Sequence, residues 1–140
     1  MKTRFIIIST ITISVFALIW NAIVHLVILA EDNKALESIH RPDMADKLWL
    51  SIIVTVLIAL LFNLSFIKWH KNGSIQETII HSLFFALLMG VVVDLNQYVQ
   101  YSIPFFIILK WFVFGVIEFI IYGFIANYLF NKFFRNHINS

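Results

Sequence analysis

Cysteine is absent from this chain of 140 residues, which excludes disulfides, thiolate metal sites and redox-active dithiols. Charge is scarce too. Charged residues make up 13% of the sequence, against roughly 25% in soluble domains. The formal net charge of +2 is small and the basic residues sit beside apolar runs, a pattern that fits membrane orientation and argues against a nucleic-acid partner. Proline occurs only twice, at Pro42 and Pro104, both between apolar runs. No Ser/His/Asp hydrolase motif, glycine-rich phosphate loop or H-E-x-x-H helix is present, so an enzymatic reading has little support.

What is abundant is apolar surface. Hydrophobic residues reach 61%, against roughly 45–50% in soluble domains, and mean hydropathy is +0.90. A soluble fold of this size has too little interior to hide that much, so lipid is the expected solvent. Lys2 and Arg4 precede the first run in the manner of a secretory signal. That run, 5–30, far exceeds the ~7–15 residues of a signal core and ends without an A-x-A site, so it reads as a retained first helix.

A spanning helix needs ~20 predominantly apolar residues, and four segments qualify: about 5–30, 48–67, 75–100 and 104–130. Asp43 follows Pro42 and is placed to cap the second helix, with Asp46 in its first turn. Ser74 and Glu77 form an S-x-x-E capping box behind an Asn72-Gly73 turn. Pro104 opens the fourth helix, where a missing amide hydrogen does no harm. In the longest polar stretch, 31–47, the part 34–40 is expected to form a short surface helix.

Orientation follows from the basic flanks. One side carries six (Lys2, Arg4, Lys68, Lys71, Lys132 and Arg135), the other three (Lys34, Arg41 and Lys47) beside five acids. Both termini are therefore expected in the cytoplasm, with Trp49 and Tyr101 at the outer interface and Trp69 at the inner one.

Small and polar residues recur on one face of each run. The stripes are Thr10, Ser14, Ala17, Asn21 and His25; Ser51, Thr55, Ala59 and Asn63; Ala86, Gly90 and Asp94; and Gly115, Glu118, Tyr122 and Ala126. Such stripes let helices approach closely and predict an interior built from these faces, with Leu, Ile and Phe turned to lipid.

An ionisable residue at mid-membrane costs roughly 2.5–3.5 kcal/mol on insertion scales, so each invites a partner. Asp94 precedes Ser102 by eight residues and Lys110 follows it by eight. In an antiparallel hairpin both then lie ~12 Å below the outer surface and are expected to pair, unless Lys110 snorkels outward. Asn21 reaches a similar depth, with His25 about one turn nearer the outside. Glu118, fourteen residues past Pro104, falls near the bilayer centre with no basic residue at its level. Asn21, His25, Asp94, Lys110 and Glu118 are thus the candidate binding or ion-handling cluster, weighed against a hydrogen-bonded network that only fixes helix register. Bis-histidine haem is not expected, because His25 and His81 lie roughly 13 Å apart in depth. A metal site using His25 and Asp94 lacks a third ligand, so no metal and no cofactor is expected.

Several pieces resemble a group of small four-helix proteins of bacterial inner membranes that carry no assigned activity. They are Asn21-x-x-x-His25, the loop Leu36-Glu37-Ser38-Ile39-His40-Arg41-Pro42, and Gln97-Tyr98-Val99-Gln100-Tyr101-Ser102-Ile103-Pro104, followed by Lys110-Trp111 and the Gly115/Gly123 helix. The resemblance implies an inner-membrane location and brings no chemistry with it.

The expected fold is all-α: an integral membrane four-helix bundle, up-down-up-down, forming one transmembrane domain over 1–140. The leading functional expectation is a non-catalytic accessory or assembly subunit of a membrane complex, or a homo-oligomer. Its partners would be the lipid bilayer and other membrane subunits or a second copy of itself. The competing expectation is a small transporter or ion- and proton-handling protein using Asp94, Lys110 and Glu118. The two differ in their interiors: transport requires a water-accessible cavity reaching these residues, whereas an accessory role predicts a dry, packed one.

Overall fold

The computed structural model describes residues 1–71 and 73–135. Four long helices dominate: α1 (Lys2–Ile28), α2 (Ala45–Trp69), α3 (Ile75–Gln100) and α4 (Phe105–Phe134). Among the described residues there is no strand. At ~1.5 Å per residue each helix covers the ~30 Å hydrocarbon core of a bilayer. Their outer faces expose Ile11, Val27, Leu57, Val91, Phe106 and many other large apolar side chains, a surface that water would not tolerate. The chain is a multi-pass membrane protein, all-α, built on four apolar helices.

Helix boundaries follow local chemistry, with two corrections. Ser74 Oγ accepts from the Glu77 amide at 3.1 Å, so the expected Ser74 cap forms, while the Glu77 carboxylate reaches back to accept from the Lys71 amide at 3.0 Å. Gly73 supplies the positive φ of 67° that this corner requires. Asn72, the other half of the expected turn, and His137 lie outside the described residues. Asp43 does not cap α2. Its carboxylate is drawn instead to Arg41 and Lys47, and α2 opens through the 3-10 turn Ala45–Lys47 with no side-chain cap. The helical piece expected at 34–40 is displaced: an α-helical turn occupies Ala30–Ala35 and a 3-10 turn Glu37–Ile39.

The stripes of small and polar residues do face one another. Asn63 Nδ2 donates to Thr10 Oγ1 at 3.3 Å between α2 and α1. Gly123 of α4 lies against Thr78 and Ser82 of α3, so closely that a Cβ would collide with Ser82 Oγ. Phe5 meets Phe130 with ring centroids 6.0 Å apart, which joins the start of α1 to the end of α4. Phe62 and Phe66 are fully buried in the same cluster, which continues through Ile13, Ala59 and Ala126 to Phe119. Phe62 packs edge-on against His81 at 4.7 Å and Phe85 at 5.2 Å.

The aromatic core therefore fills only the half of the bundle that holds the chain start. At the other end a small cluster of Leu36, Ile103, Ile107 and Ile108 pins the 31–47 loop to the first turns of α4. Between the two clusters the bundle is not filled.

Candidate functional site

A cavity of about 680 Å³ occupies that gap, lined by all four helices. Its deep end reaches Ile58, Met89 and Phe119, each near the middle of its helix, and its other end reaches His40 and Met44 in the loop. Asn21 and His25 of α1, Asp94 of α3 and Glu118 of α4 all line it. Four of the five residues singled out from sequence thus share one space. The fifth, Lys110, is not among its lining residues.

Glu118 is the best organised of the four. Asn21 Nδ2 donates to Glu118 Oε1 at 3.0 Å, and the Tyr122 hydroxyl donates to the same oxygen. Tyr122 is one helical turn further along α4, so the helix itself sets that contact. Asn21 is held in turn by a bond to the Ala17 carbonyl at 2.9 Å. Glu118 Oε2 has no hydrogen-bond partner among the described residues and belongs to a side chain on the cavity wall. Two neutral donors hold the group.

Asp94 does not pair with Lys110. Lys110 Nζ lies 2.6 Å from Asp32 Oδ2 and 5.1 Å from the centroid of the Phe106 ring. Two features explain the correction. A helical Lys side chain leans towards the amino end of its helix, here the loop end, so it reaches above its own depth. Asp32 meets it because the chain stays helical through Ala30–Ala35 instead of leaving the bundle. Asp94 is half-buried, without an ion pair among the described residues, and faces the cavity from the π-helical turn Gly90–Leu95. The cavity it faces is large enough to hold water, and hydration there would remove much of the cost of lacking a counter-ion.

His25 sits where α1 loosens into the π-helical turn Val24–Ile28, whose exit is marked by the Leu29 amide donating to the Val24 carbonyl at 2.8 Å. Asn33 Nδ2 donates to the His25 carbonyl at 2.7 Å and approaches Nδ1 at 3.4 Å, so the loop holds the ring in place. Such wide turns recur at functional sites, and both π-helical turns lining the cavity carry one of its titratable side chains.

Trp20, Trp111 and Phe114 contribute aromatic wall, and Gln97, Ser51 and Thr55 contribute polar atoms. The Trp111 indole N–H is buried without an acceptor among the described residues, so the wall carries a donor to spare. The sequence reasoning missed Asp32, Trp20, Trp111 and Gln97. The i, i+4 spacing of Glu118 and Tyr122 was the available signal for their contact; nothing in the spacing marked the tryptophans as lining.

Among the described residues no three metal-ligating side chains converge. His81 bonds to Ser65 Oγ at 2.8 Å and lies in the aromatic core, apart from the cavity. No known protein family, curated protein or solved structure matches the chain.

Proposed function

We propose that this protein handles a cation or protons through an acidic vestibule open to the outer side of a bacterial inner membrane. The observation that carries the reading is the composition of the cavity wall. It includes two carboxyl-bearing residues, Asp94 and Glu118, and no lysine or arginine. A cavity of this kind raises the local concentration of cations and repels anions. Glu118, near mid-helix, stays in place only as a neutral acid or with a cation beside it, the two states an ion-handling site exchanges. Lys110 drops out of the candidate machinery, since Asp32 occupies its charge.

The outward opening rests on the basic flanks, six residues against three, which favour both termini in the cytoplasm and the 31–47 loop outside. The aromatic core then seals the cytoplasmic half, as expected of one end of an alternating-access cycle. The accessory-subunit or homo-oligomer reading favours a dry, packed interior, and the vestibule ranks it second. The exposed apolar faces do not favour it, because lipid asks for the same faces.

Glu118→Gln tests the reading, as it keeps shape and the acceptor for Asn21 and Tyr122. In proteoliposomes holding a pH or sodium gradient, wild type should dissipate the gradient faster than empty liposomes, and the variant should match the empty ones. Its unfolding midpoint should stay near that of wild type. A wild-type protein as inert as empty liposomes, or a Glu118→Gln protein as active as wild type, ends this reading.

A further inference from the structure

The size and walls of the vestibule carry the reading further, to the class of ligand. A proton or a dehydrated metal ion needs space on the order of one water molecule. At ~30 Å³ per water, 680 Å³ is on the order of twenty such volumes and falls inside the ~300–1,000 Å³ of small-molecule sites. Hydration of one small ion does not require walls of indole and benzyl rings. Yet Trp20, Trp111, Phe114 and Phe119 line the same space as Glu118 and Asp94. Trp20 is braced between Phe16 at 5.9 Å and Phe114 at 6.4 Å, and Trp111 stands edge-on to His25 at 6.4 Å. Rings so braced lose little entropy on meeting a ligand.

Carboxylates together with aromatic rings form the environment that recognises an organic ammonium. The rings offer negative π-faces to a weakly hydrated cation, and the carboxylate neutralises its charge. Gly115 adds room: a Cβ there would meet nothing within 4 Å. We propose that the vestibule binds an organic cation with an apolar body, its charge held between Glu118 and the rings of Trp20 and Trp111. The proposal rests on the cation-handling reading above and adds the chemical class. Asp94, without an ion pair among the described residues, supplies a second carboxyl on the way in from the loop.

The test uses the full-length protein in nanodiscs with benzyltrimethylammonium, its neutral carbon isostere neopentylbenzene, and sodium or potassium chloride, each titrated calorimetrically against empty nanodiscs. Benzyltrimethylammonium should bind saturably at one site per chain, and the neutral isostere should give only the partitioning seen in empty discs. Trp111→Leu should weaken binding of the organic cation by roughly tenfold, the scale of a desolvated cation–π contact. Glu118→Gln should weaken it at least as much. If Glu118→Gln fails to fold, Asp94→Asn together with Trp111→Leu decides the matter, and unchanged affinity in both overturns the proposal. Equal binding of the neutral isostere also overturns it. A Glu118-dependent response to sodium, potassium or protons without any to benzyltrimethylammonium overturns the ligand class while leaving cation handling intact. No Glu118-dependent response to any of them removes both.

Discussion

A charged side chain near the edge of a bilayer either finds a counter-charge at its own depth or climbs to where water begins. Lys110 climbs, and its 2.6 Å contact with Asp32 is the result. Both side chains stay partly exposed, at 33% and 23%, so screening keeps the pair worth about 1 kcal/mol or less. Removing both Lys110 and Asp32 should therefore cost less than the sum of the single losses. Lys110→Ala with Asp94→Ala should be additive. Unfolding midpoints of the six proteins in one detergent decide it, and coupling to Asp94 instead of Asp32 would refute the assignment. Equal spacing about Ser102 suggested a pair with Asp94; what it left out was the length of a lysine side chain and a loop that stays helical. His70, just past the end of α2, makes a second residue-scale case. It is buried, stacks on Phe66 at 4.5 Å and bonds through Nε2 to Asn127 Oδ1 at 3.0 Å. Burial holds its pKa below the ordinary 6.5, against the upward pull of the Asn127 bond and the Glu77 charge. The unfolded chain then binds the proton first, so this contribution is fully present above about pH 6.5 and is lost as pH falls through the depressed folded value. His70→Gln should make the stability profile shallower as pH falls below about 6.5. An unchanged slope would show that His70 titrates no differently when folded.

At the scale of whole helices, two glycines on α4 divide the bundle into its two halves. Gly123 lies in the packed half, where an added Cβ would run into Ser82 of α3, while Gly115 lies in the open half with nothing near it. Gly123→Val should therefore lower stability by about 1–3 kcal/mol as the helices are forced apart. Gly115→Ala should be neutral or slightly stabilising, because alanine is the better helix former by about 1 kcal/mol. Midpoints of thermal unfolding in nanodiscs separate the two, and equal losses would mean that the gap between α1 and α4 closes in the membrane. The sequence stripe on this helix took in Gly115 and left out Gly123, although Gly123 is the glycine that meets a neighbour. Spacing reports which face turns inward. Whether an inward face meets a neighbour depends on the volumes opposite it. Phe62, Phe66 and Phe119 crowd one level of the bundle, whereas Ser51, Thr55 and Gly115 leave the other unfilled.

The molecule as a whole is asymmetric along its length, plugged by aromatic rings at one end and open towards the 31–47 loop at the other. Four apolar runs were enough to read the four helices from sequence, because a bilayer fixes both their length and their composition. The vestibule was legible only as a set of costly residues at related depths. Its walls are ordinary Trp, Met and Phe, which in any membrane helix could as well face lipid. The lack of native cysteine makes the asymmetry directly measurable. Gly115→Cys and Thr55→Cys place a thiol on the vestibule wall, Ser14→Cys places one in the packed half, and Val56→Cys places one on an exposed apolar face. A thiol must ionise to react, so a membrane-impermeant maleimide labels only where water reaches. Added outside intact cells, it should label positions 115 and 55 and spare 14 and 56. Labelling of 115 and 55 only after the inner face is exposed would keep the vestibule but reverse its orientation, and with it the placement of both termini. No labelling from either side would mean that the cavity is dry, and the accessory-subunit reading would then take precedence.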